Sequence, residues 1–350
     1  MRRGRAAAGL GVAAVSVIGM AAGTAGVASA HPVAAAPKVP LTIYAAEGYD
    51  TAEGKAFQAA TGIPTKVDDD STGPLTTKIE AEKNNPQWDV FWVDGDDVFA
   101  SLDQQGLLLK HWEPKVNYTS LAKQIVPKDH SYIPTGVTMA AALVYNTKTL
   151  STPPTTWSQL LSSKYKGEVG MNDPAVSGPT YPYIAGMSAH LGGVAQGENF
   201  YSKLKANGLH VYQTNDNTLQ ALETGTIKVA TIQSSAGIGA ELKSDPSLRV
   251  SYLKPETVLP SVIGIDAKVS KTAQAEAKQF VNFVFSKQGQ KVMQSGDPQG
   301  DSLFWPLVKG EKPLPALPPI SKVPTQVLNA YAWGPRENTI NTWFTENIVQ

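Results

Sequence analysis

Four short segments of this sequence place hydroxyl-bearing, acidic or small residues directly after apolar runs or directly before helical patterns. They are Ala46-Glu47-Gly48, Ser71-Thr72-Gly73, Asp94-Gly95 and Ser177-Gly178-Pro179-Thr180. Backbone N–H groups and hydroxyls at such positions can receive an oxyanion without help from a cationic side chain. In open parallel sheets, ligands sit beyond the carboxyl ends of the strands, so the four segments are expected to share one site.

Each segment also has an ordinary structural explanation. Ser71 or Thr72 can cap a helix or turn the chain, and Asp94-Gly95 can form an acidic turn. Pro179 suits the first turn of a helix over residues 180–191. The sequence leaves both interpretations open at these segments, and we favour anion binding at Ser177-Gly178.

Alternating strand and helix patterns must position these segments. Nearly continuous apolar runs at residues 41–45 and 88–93 predict strands that are covered on both faces, as in parallel sheets. Residues 76–83 and 98–105 predict helices, and residues 139–146 predict one further strand. Apolar residues spaced by three and four between 273 and 285 predict an amphipathic helix. This alternation is typical of an α/β fold.

Composition excludes several classes of protein. The chain has 350 residues, 30 Lys+Arg against 30 Asp+Glu and no cysteine. Its length predicts two domains or two lobes, and its neutral charge argues against nucleic-acid binding. Without cysteine there is no disulfide, thiol nucleophile or lipid anchor on cysteine, and the five histidines are scattered. We therefore predict no metal site and no cofactor.

The N-terminal residues are typical of an export signal. Arg2, Arg3 and Arg5 precede an apolar run over residues 6–27, and Ala28-Ser29-Ala30 resembles a signal-peptidase site. Cleavage after Ala30 would leave a Pro/Ala linker at residues 31–40 and an exported protein, either periplasmic or extracellular. A retained membrane anchor is the alternative.

Several segments together resemble the extracellular solute-binding proteins of ABC importers, and in particular the branch with ferric-iron and 2-aminoethylphosphonate binders. The resemblance rests on "LTIYAAEGYDTAEGKAFQAATGIPTKV", "WDVFWVDGDDVFASLDQQGLL", "LVYNTKTL…TPPTTWSQLLSSKYKGEVGMNDPAVSG" and "AEAKQFVNFVFSKQGQKVM". These segments occur in the family's order over about residues 41–310.

This resemblance implies a type II-like fold of two lobes, each a mostly parallel sheet flanked by helices, with the ligand cleft between them. Lobe one would comprise residues 41–142 and 262–312, and lobe two residues 143–261. Residues 313–350 would form a proline-rich connector and tail. Crossing strands would place hinge residues at Tyr145, Asn146, Ser261 and Val262. The expected molecule is a monomeric, non-enzymatic receptor that closes around a solute and delivers it to a membrane permease.

The resemblance also adds candidate ligand residues in lobe two, namely Asn215, Asn217, Gln233, Ser234 and Ser235. Ferric binders of the family hold iron through paired tyrosines in the segment that here reads "ATIQSSAGIG", which contains none. After residue 30 only Arg249 and Arg336 could supply a guanidinium clamp.

We therefore expect an anionic solute of the phosphonate or organophosphate class, with Asp94 or Glu47 binding an ammonium group on the same solute. A ferric-iron or carbohydrate receptor of the same fold is one alternative, and a secreted hydrolase is another.

Overall fold

The computed structural model describes residues 39–350. The predicted signal peptide and all but the last two residues of the predicted linker lie outside the described residues. No helix within residues 39–350 combines the length and the apolar character that a membrane crossing requires.

The described chain alternates between strands and helices from its first element. Its strands are β1 Leu41–Ala45, β2 Thr65–Asp69, β3 Val90–Asp94, β4 Tyr132–Met139, β5 Ala142–Asn146, β6 Val169–Asn172, β7 His210–Tyr212, β8 Val229–Ile232, β9 Leu248–Ser251, β10 Glu256–Ile265, β11 Trp305–Pro306 and β12 Thr325–Gln326. Its α-helices are α1 Asp50–Thr61, α2 Thr72–Glu82, α3 Asp96–Gln104, α4 Ala122–Ile125, α5 Thr180–Leu191, α6 Val194–Ala206, α7 Asn215–Glu223, α8 Ser234–Lys243, α9 Lys271–Val284, α10 Lys287–Gly296, α11 Ala330–Trp333 and α12 Glu337–Phe344. Short 3₁₀ turns occur at Trp157–Leu161, Ser163–Tyr165, Ile320–Lys322 and Gly334–Arg336, and a π-helical turn at Thr345–Val349.

Seven strands form the first sheet, in the order β11–β4–β10–β3–β1–β2, with β12 paired to β10. All five residues of β3 are buried, which explains its apolar run, because helices cover both faces. On one face Trp92 packs edge-on against Phe280 of α9, and on the other Phe91 stacks on Phe99 of α3 at 4.9 Å between ring centroids.

The second sheet has the order β7–β6–β8–β5–β9 and its own hydrophobic core. The two sheets give the two-lobed α/β architecture that was predicted. Neither sheet is mostly parallel, however. In the first, β10 runs antiparallel to β3 and β4, and in the second, β5 runs antiparallel to β8 and β9. Each of these two strands directly follows a crossing of the chain from the other sheet. Each therefore enters its new sheet in the direction opposite to that of its neighbours.

The chain passes between the sheets at residues 140–141 and 252–255. Residues 139–146, predicted as one strand, therefore belong to two, because the apolar run continues through the crossing. Tyr145 and Asn146 lie inside the β5 ladder, and Ser261 and Val262 lie in the middle of β10. Tyr145, Ser261 and Val262 are thus paired with strands on both sides, Asn146 is paired on one side, and all four lie away from the crossings. The predicted lobe boundary at residues 261–262 cuts through β10.

Residues 327–350 pack against both lobes. Ala330 of α11 is buried in a cluster with α3, whereas Phe344 of α12 lies in the core of the second lobe, 5.4 Å from the Tyr201 ring. The Tyr181 hydroxyl of α5 donates a hydrogen bond to the Trp333 carbonyl (2.5 Å). This tail, which follows the predicted proline-rich connector, is therefore a third connection between the lobes.

Candidate functional site

A cavity of about 170 Å³ lies between the two sheets, at the carboxyl ends of β1 and β3 and beside the loops that precede α5 and α7. Eight predicted residues line it: Ala46, Ser71, Thr72, Asp94, Ser177, Gly178, Asn215 and Gln233. The other lining residues are Val176, Pro179, Gln213, Thr214 and Asp301. Segments that are distant in the sequence, and that come from both lobes, therefore meet at one cavity.

Three carboxyl groups cluster on the first-lobe side of this cavity. Asp94 ends β3, and Asp301 lies in the loop after α10. Glu47 follows the lining residue Ala46 and is 2% exposed. The ion pairs formed within residues 39–350 involve none of the three carboxylates. The cluster is thus an uncompensated group of acids.

The electrostatic consequence is a set of raised pKa values. Burial raises the pKa of Glu47 and Asp94 well above the ordinary range, and the neighbouring carboxylates raise both further. Burial also raises the pKa of Asp301 to about 6, although the Gly48 backbone N–H donates to its Oδ2 at 2.9 Å and favours the charged form. Carboxylates in this setting favour a bound cation, because it would stabilise their ionised form.

A chain of hydrogen bonds orients Glu47. The Ser261 hydroxyl donates to Glu47 Oε1 (2.5 Å) and accepts from Trp92 Nε1 (3.0 Å) and from the Thr135 hydroxyl (2.9 Å). Ser261, predicted as a hinge residue, therefore fixes one carboxylate of the cluster. Trp92 is fully buried and makes this polar contact from within the core.

The second-lobe side of the cavity is organised by Asn172 at the end of β6. Its Nδ2 donates to Asn215 Oδ1 (2.7 Å) and to Ser177 Oγ (3.2 Å), and the Thr218 hydroxyl donates to its Oδ1 (2.6 Å). Asn172 is 2% exposed and does not line the cavity. It nevertheless connects two lining residues that come from different loops.

Two helix N-termini, one from each lobe, are directed at the cavity. Ser71 precedes α2, and Pro179 precedes α5. Neither helix has an acidic residue in its first turn, and neither capping residue makes a side-chain capping bond. The Ser71 hydroxyl therefore does not cap α2, although capping was one of the two structural roles that the sequence left open for this residue. At the start of α5 the Thr180 N–H donates to the Ser177 carbonyl (3.0 Å) and Pro179 has no N–H, whereas the Thr72 and Gly73 N–H groups of α2 make no backbone hydrogen bond within residues 39–350. The positive ends of both helix dipoles suit an oxyanion, and α2 also offers free N–H groups.

The lobes touch at the rim of the cavity. Gln233 Nε2 of the second lobe donates to Asp94 Oδ2 of the first (2.7 Å). A Cβ on Gly73 would lie 2.7 Å from the Ala175 carbonyl oxygen, and one on Gly178 would lie 2.4 Å from Thr72 Oγ1. Both approaches therefore require glycine. A larger cavity of about 860 Å³ shares Thr72 and Gly178 with the first and is lined mainly by hydroxyl and amide groups of α2, α3 and α12.

Seven predicted ligand residues do not line the small cavity: Glu47, Gly73, Gly95, Thr180, Asn217, Ser234 and Ser235. Gly73 lines the larger cavity, and Thr180 is buried at the start of α5. Asn217 is exposed, and its N–H donates to the Thr214 hydroxyl that caps α7.

Glu47 belongs to the carboxylate cluster described above, and the remaining three residues lie behind the lining of the cavity. The Gly95 N–H donates to the Pro260 carbonyl (2.8 Å), and the Ser234 hydroxyl accepts from the Met139 N–H (3.0 Å) close to a crossing. Ser235 is fully buried, and its hydroxyl approaches Asp301 without a hydrogen bond of regular geometry.

Sequence reasoning missed Asp301 and Asn172. Asp301 lies in a polar Gly- and Asp-containing loop that resembles an ordinary turn, and only the return of the chain to the first lobe brings it to Asp94. Asn172 is the last residue of β6, and its place at a strand end was the available signal. Within residues 39–350, no three His, Asp or Glu side chains are grouped as a metal site requires.

Comparison with known proteins assigns the family. Residues 54–302 match the family described as bacterial extracellular solute-binding protein. The chain belongs to this family. Solute-binding proteins of this family are periplasmic or extracellular, bind small solutes and work with ABC permeases.

Individual relatives are distant in sequence and close in fold. A periplasmic protein of Salmonella paratyphi A that is named for 2-aminoethylphosphonate binding is 23% identical over 264 residues, which cover 71% of this chain and 75% of that protein. Iron-bound HitA from Pseudomonas aeruginosa has a TM-score of 0.75 at 24% identity, covering 87% of this chain and 98% of HitA. AfuA from Actinobacillus pleuropneumoniae, with fructose-6-phosphate bound, has a TM-score of 0.77 at 21% identity, covering 89% and 98% of the two chains.

Proposed function

We propose that this ABC-type solute-binding protein captures a small zwitterion, in which a short chain joins a primary ammonium group to a phosphonate or phosphate ester. The observation that carries the proposal is the cluster of Asp94, Asp301 and Glu47, which lacks a cationic partner and lies beside the N-termini of α2 and α5. The carboxylates would receive the ammonium group, and the N–H and hydroxyl groups would receive the oxyanion.

Charge supports a zwitterion over a simple anion. An oxyanion alone would approach three buried carboxylates and gain nothing from them, whereas an ammonium group supplies the missing opposite charge. Ser71 and Thr72 of the first lobe and Ser177 of the second then offer hydroxyl donors to the oxyanion, and neither arginine after residue 30 lines the cavity. The cavity volume of about 170 Å³ suits a solute of few heavy atoms.

The comparisons support the same class without fixing it. The Salmonella relative is named for 2-aminoethylphosphonate, a compound with these two charged groups. The relatives of known structure include proteins with bound iron and with bound fructose-6-phosphate, so the fold itself accepts several solutes.

Calorimetric titration with three matched solutes tests the proposal. We expect 2-aminoethylphosphonate to bind at least tenfold more tightly than ethylphosphonate, which lacks the ammonium group, and than propylamine, which lacks the oxyanion. Equal affinity for the first two would contradict the role of the carboxylates. A response to ferric citrate or to neutral sugars, with none to the three solutes, would replace the proposed class. Turnover of chromogenic ester substrates would contradict a receptor altogether.

A further inference from the structure

A second cavity, of about 680 Å³, lies outside the cleft on the first lobe. It is lined by the start of α3, the start of β4, the segment at residues 124–129 and the tail at residues 327–331. It shares no lining residue with the cleft cavity. Anything bound there would therefore not compete directly with a solute in the cleft.

Asp96 is the distinctive residue of this lateral cavity. Its side chain lines the cavity, yet the residue is only 8% exposed. Among residues 39–350 it forms no ion pair, and the only donor to its carboxyl is its own backbone N–H. Burial, with Asp97 next to it, raises the pKa of Asp96 to about 8. A buried carboxyl without a partner lacks the opposite charge that stabilises its ionised form.

None of the charged groups around Asp96 provides a positive charge that pairs with its carboxylate. The lining acids Asp103 and Asp129 are both paired with Lys110, at 2.7 and 3.0 Å. Lys128 lines the cavity from its exposed rim. The other titratable neighbours are Asp97, Tyr132 and Tyr331, which contribute no positive charge.

Apolar and aromatic side chains form part of the walls of the lateral cavity, beside its polar and charged lining residues. Tyr132 and Tyr331 stack with ring centroids 6.4 Å apart and an interplanar angle of 24°. Ile125, Val126 and Leu328 add aliphatic surface. One unpaired acid beside aliphatic and aromatic surface matches a small organic cation, because the acid attracts the charge while the apolar part of the wall covers the carbon skeleton.

We infer that the lateral cavity is a binding site for a small organic monoammonium compound, with the ammonium group on Asp96 and the hydrocarbon part against Tyr132 and the aliphatic wall. Because residues 327–331 form one side of the cavity, an occupant also joins the tail to the first lobe. The inference does not depend on the solute proposed for the cleft.

Isothermal titration of the purified protein at pH 7.5 with hexylamine, 1-hexanol and hexanoate tests the inference. The three probes share a chain length and differ in charge. We expect hexylamine to bind at least tenfold more tightly than 1-hexanol, and hexanoate to bind most weakly. Equal binding of the amine and the alcohol, or no binding of the amine, would overturn the inference without any variant.

Three variants locate the amine. Asp96→Asn keeps the shape of the side chain and should weaken hexylamine binding at least tenfold while changing 1-hexanol binding less than twofold. Asp129→Asn is the matched control, since it removes a lining charge that is paired with Lys110, and should change hexylamine affinity less than threefold. Asp94→Asn should leave hexylamine affinity unchanged. Loss of binding in Asp94→Asn, and not in Asp96→Asn, would place the amine in the cleft and overturn the lateral site.

Discussion

Asp94 is expected to serve binding at the expense of stability. Asparagine at this position could still accept the hydrogen bond from Gln233 but would carry no charge. We expect Asp94→Asn to weaken 2-aminoethylphosphonate binding at least tenfold, about 1.4 kcal/mol. It should also raise the melting temperature of the unliganded protein at pH 8, because one uncompensated buried carboxylate is removed. Calorimetric titration and thermal unfolding measure the two effects.

Asp216→Asn is a suitable control for that experiment. Asp216 is an exposed acid on α7 and does not line the cleft cavity. Its replacement should leave affinity nearly unchanged and should not raise the melting temperature. A fall in stability for Asp94→Asn would show that Asp94 stabilises the empty fold, contrary to the view of the cluster as uncompensated.

The carboxylate cluster also predicts a pH dependence of stability. Asp301 has a pKa of about 6 in the folded protein and about 4 when unfolded, so between these values the folded state binds more protons. The free energy of unfolding contributed by this group is therefore greatest below pH 4 and falls as pH rises to about 6. The raised pKa values of Glu47 and Asp94 extend the fall to higher pH.

We expect the unliganded protein to unfold at a lower temperature at pH 7.5 than at pH 5.5, and Asp94→Asn to reduce that difference. Thermal unfolding across this range, with and without 2-aminoethylphosphonate, measures it. A melting temperature that rises from pH 5.5 to 7.5 in the unliganded protein, and rises equally in the variant, would contradict the assigned direction.

Asn172 is expected to matter for binding although it does not line the cavity. Asn172→Leu keeps a similar volume but removes the donors to Ser177 and Asn215 and leaves the Thr218 hydroxyl without its buried acceptor. Each unsatisfied buried group costs about 1–3 kcal/mol, so stability should fall by this amount and solute affinity should fall with it. Urea unfolding and calorimetry check both. Unchanged affinity would show that Ser177 and Asn215 need no such support.

Residue types near strand ends allowed most of the cavity lining to be predicted, because the carboxyl ends of parallel strands meet at one edge. Ser71, Asp94 and Ser177 are examples. Asp301 could not be found in this way, since its contribution depends on a loop after α10 returning to the first lobe. Glu47 was also predicted from a strand end, and it lies behind Ala46 rather than at the surface of the cavity.

At the level of elements, the first turn of α2 and the segment before α5 approach each other across the cleft through Gly73 and Gly178. Neither glycine has a positive φ, so alanine suits the backbone at both positions, and its methyl group would clash only with the opposite lobe. We expect Gly73→Ala and Gly178→Ala to leave the melting temperature of an unliganded, open protein equal or higher. Solute affinity should fall at least tenfold, because closure is obstructed.

The Thr72→Gly, Gly178→Ala double variant tests the contact itself. It removes the Thr72 atoms that the new methyl group would meet, so it should bind better than additive losses from the two single variants predict. Strict additivity would mean that the lobes do not meet at this point in the bound state.

Element boundaries follow from the sequence where apolar periodicity is strong. The buried stripe on α9 was predicted from spacing and is observed at Ala277, Phe280, Val281 and Val284. The start of α2 at Thr72 was placed too late, because Thr, Gly and Pro at residues 72–74 have low helix propensity and yet occupy a first turn, where Pro is tolerated. The crossing at residues 140–141 was hidden because alanines there continue the apolar run of both flanking strands.

At the level of the whole molecule, the tail is part of the folded core. Phe344 is fully buried beside Tyr201, so Phe344→Ala should lower the free energy of unfolding by about 3–5 kcal/mol. Val349→Ala, in the same tail but 39% exposed, should change it by less than about 0.5 kcal/mol. Urea unfolding compares the two variants. Similar small losses would mean that residues 337–350 detach without cost to the second lobe.

The two-lobed plan was accessible from the chain length and the family resemblance, but the contacts that the tail makes with the second lobe were not. Proline spacing indicates an extended connector and says nothing about where the chain goes afterwards. The aromatic residues beyond it find their partners on α5 and α6, which no local pattern indicates.

The hydrogen bond from Gln233 to Asp94 needs no solute, and it leaves Oδ1 of the same carboxylate available. The protein without solute can therefore adopt the closed conformation. With solute bound, the Gln233–Asp94 hydrogen bond can remain while the ammonium group of the solute contacts the other oxygen of Asp94. A transporter that recognised shape alone would often meet unloaded molecules. Recognition by the permease would then depend on the lifetime of the closed conformation. The bound solute lengthens this lifetime, because it adds contacts to both lobes.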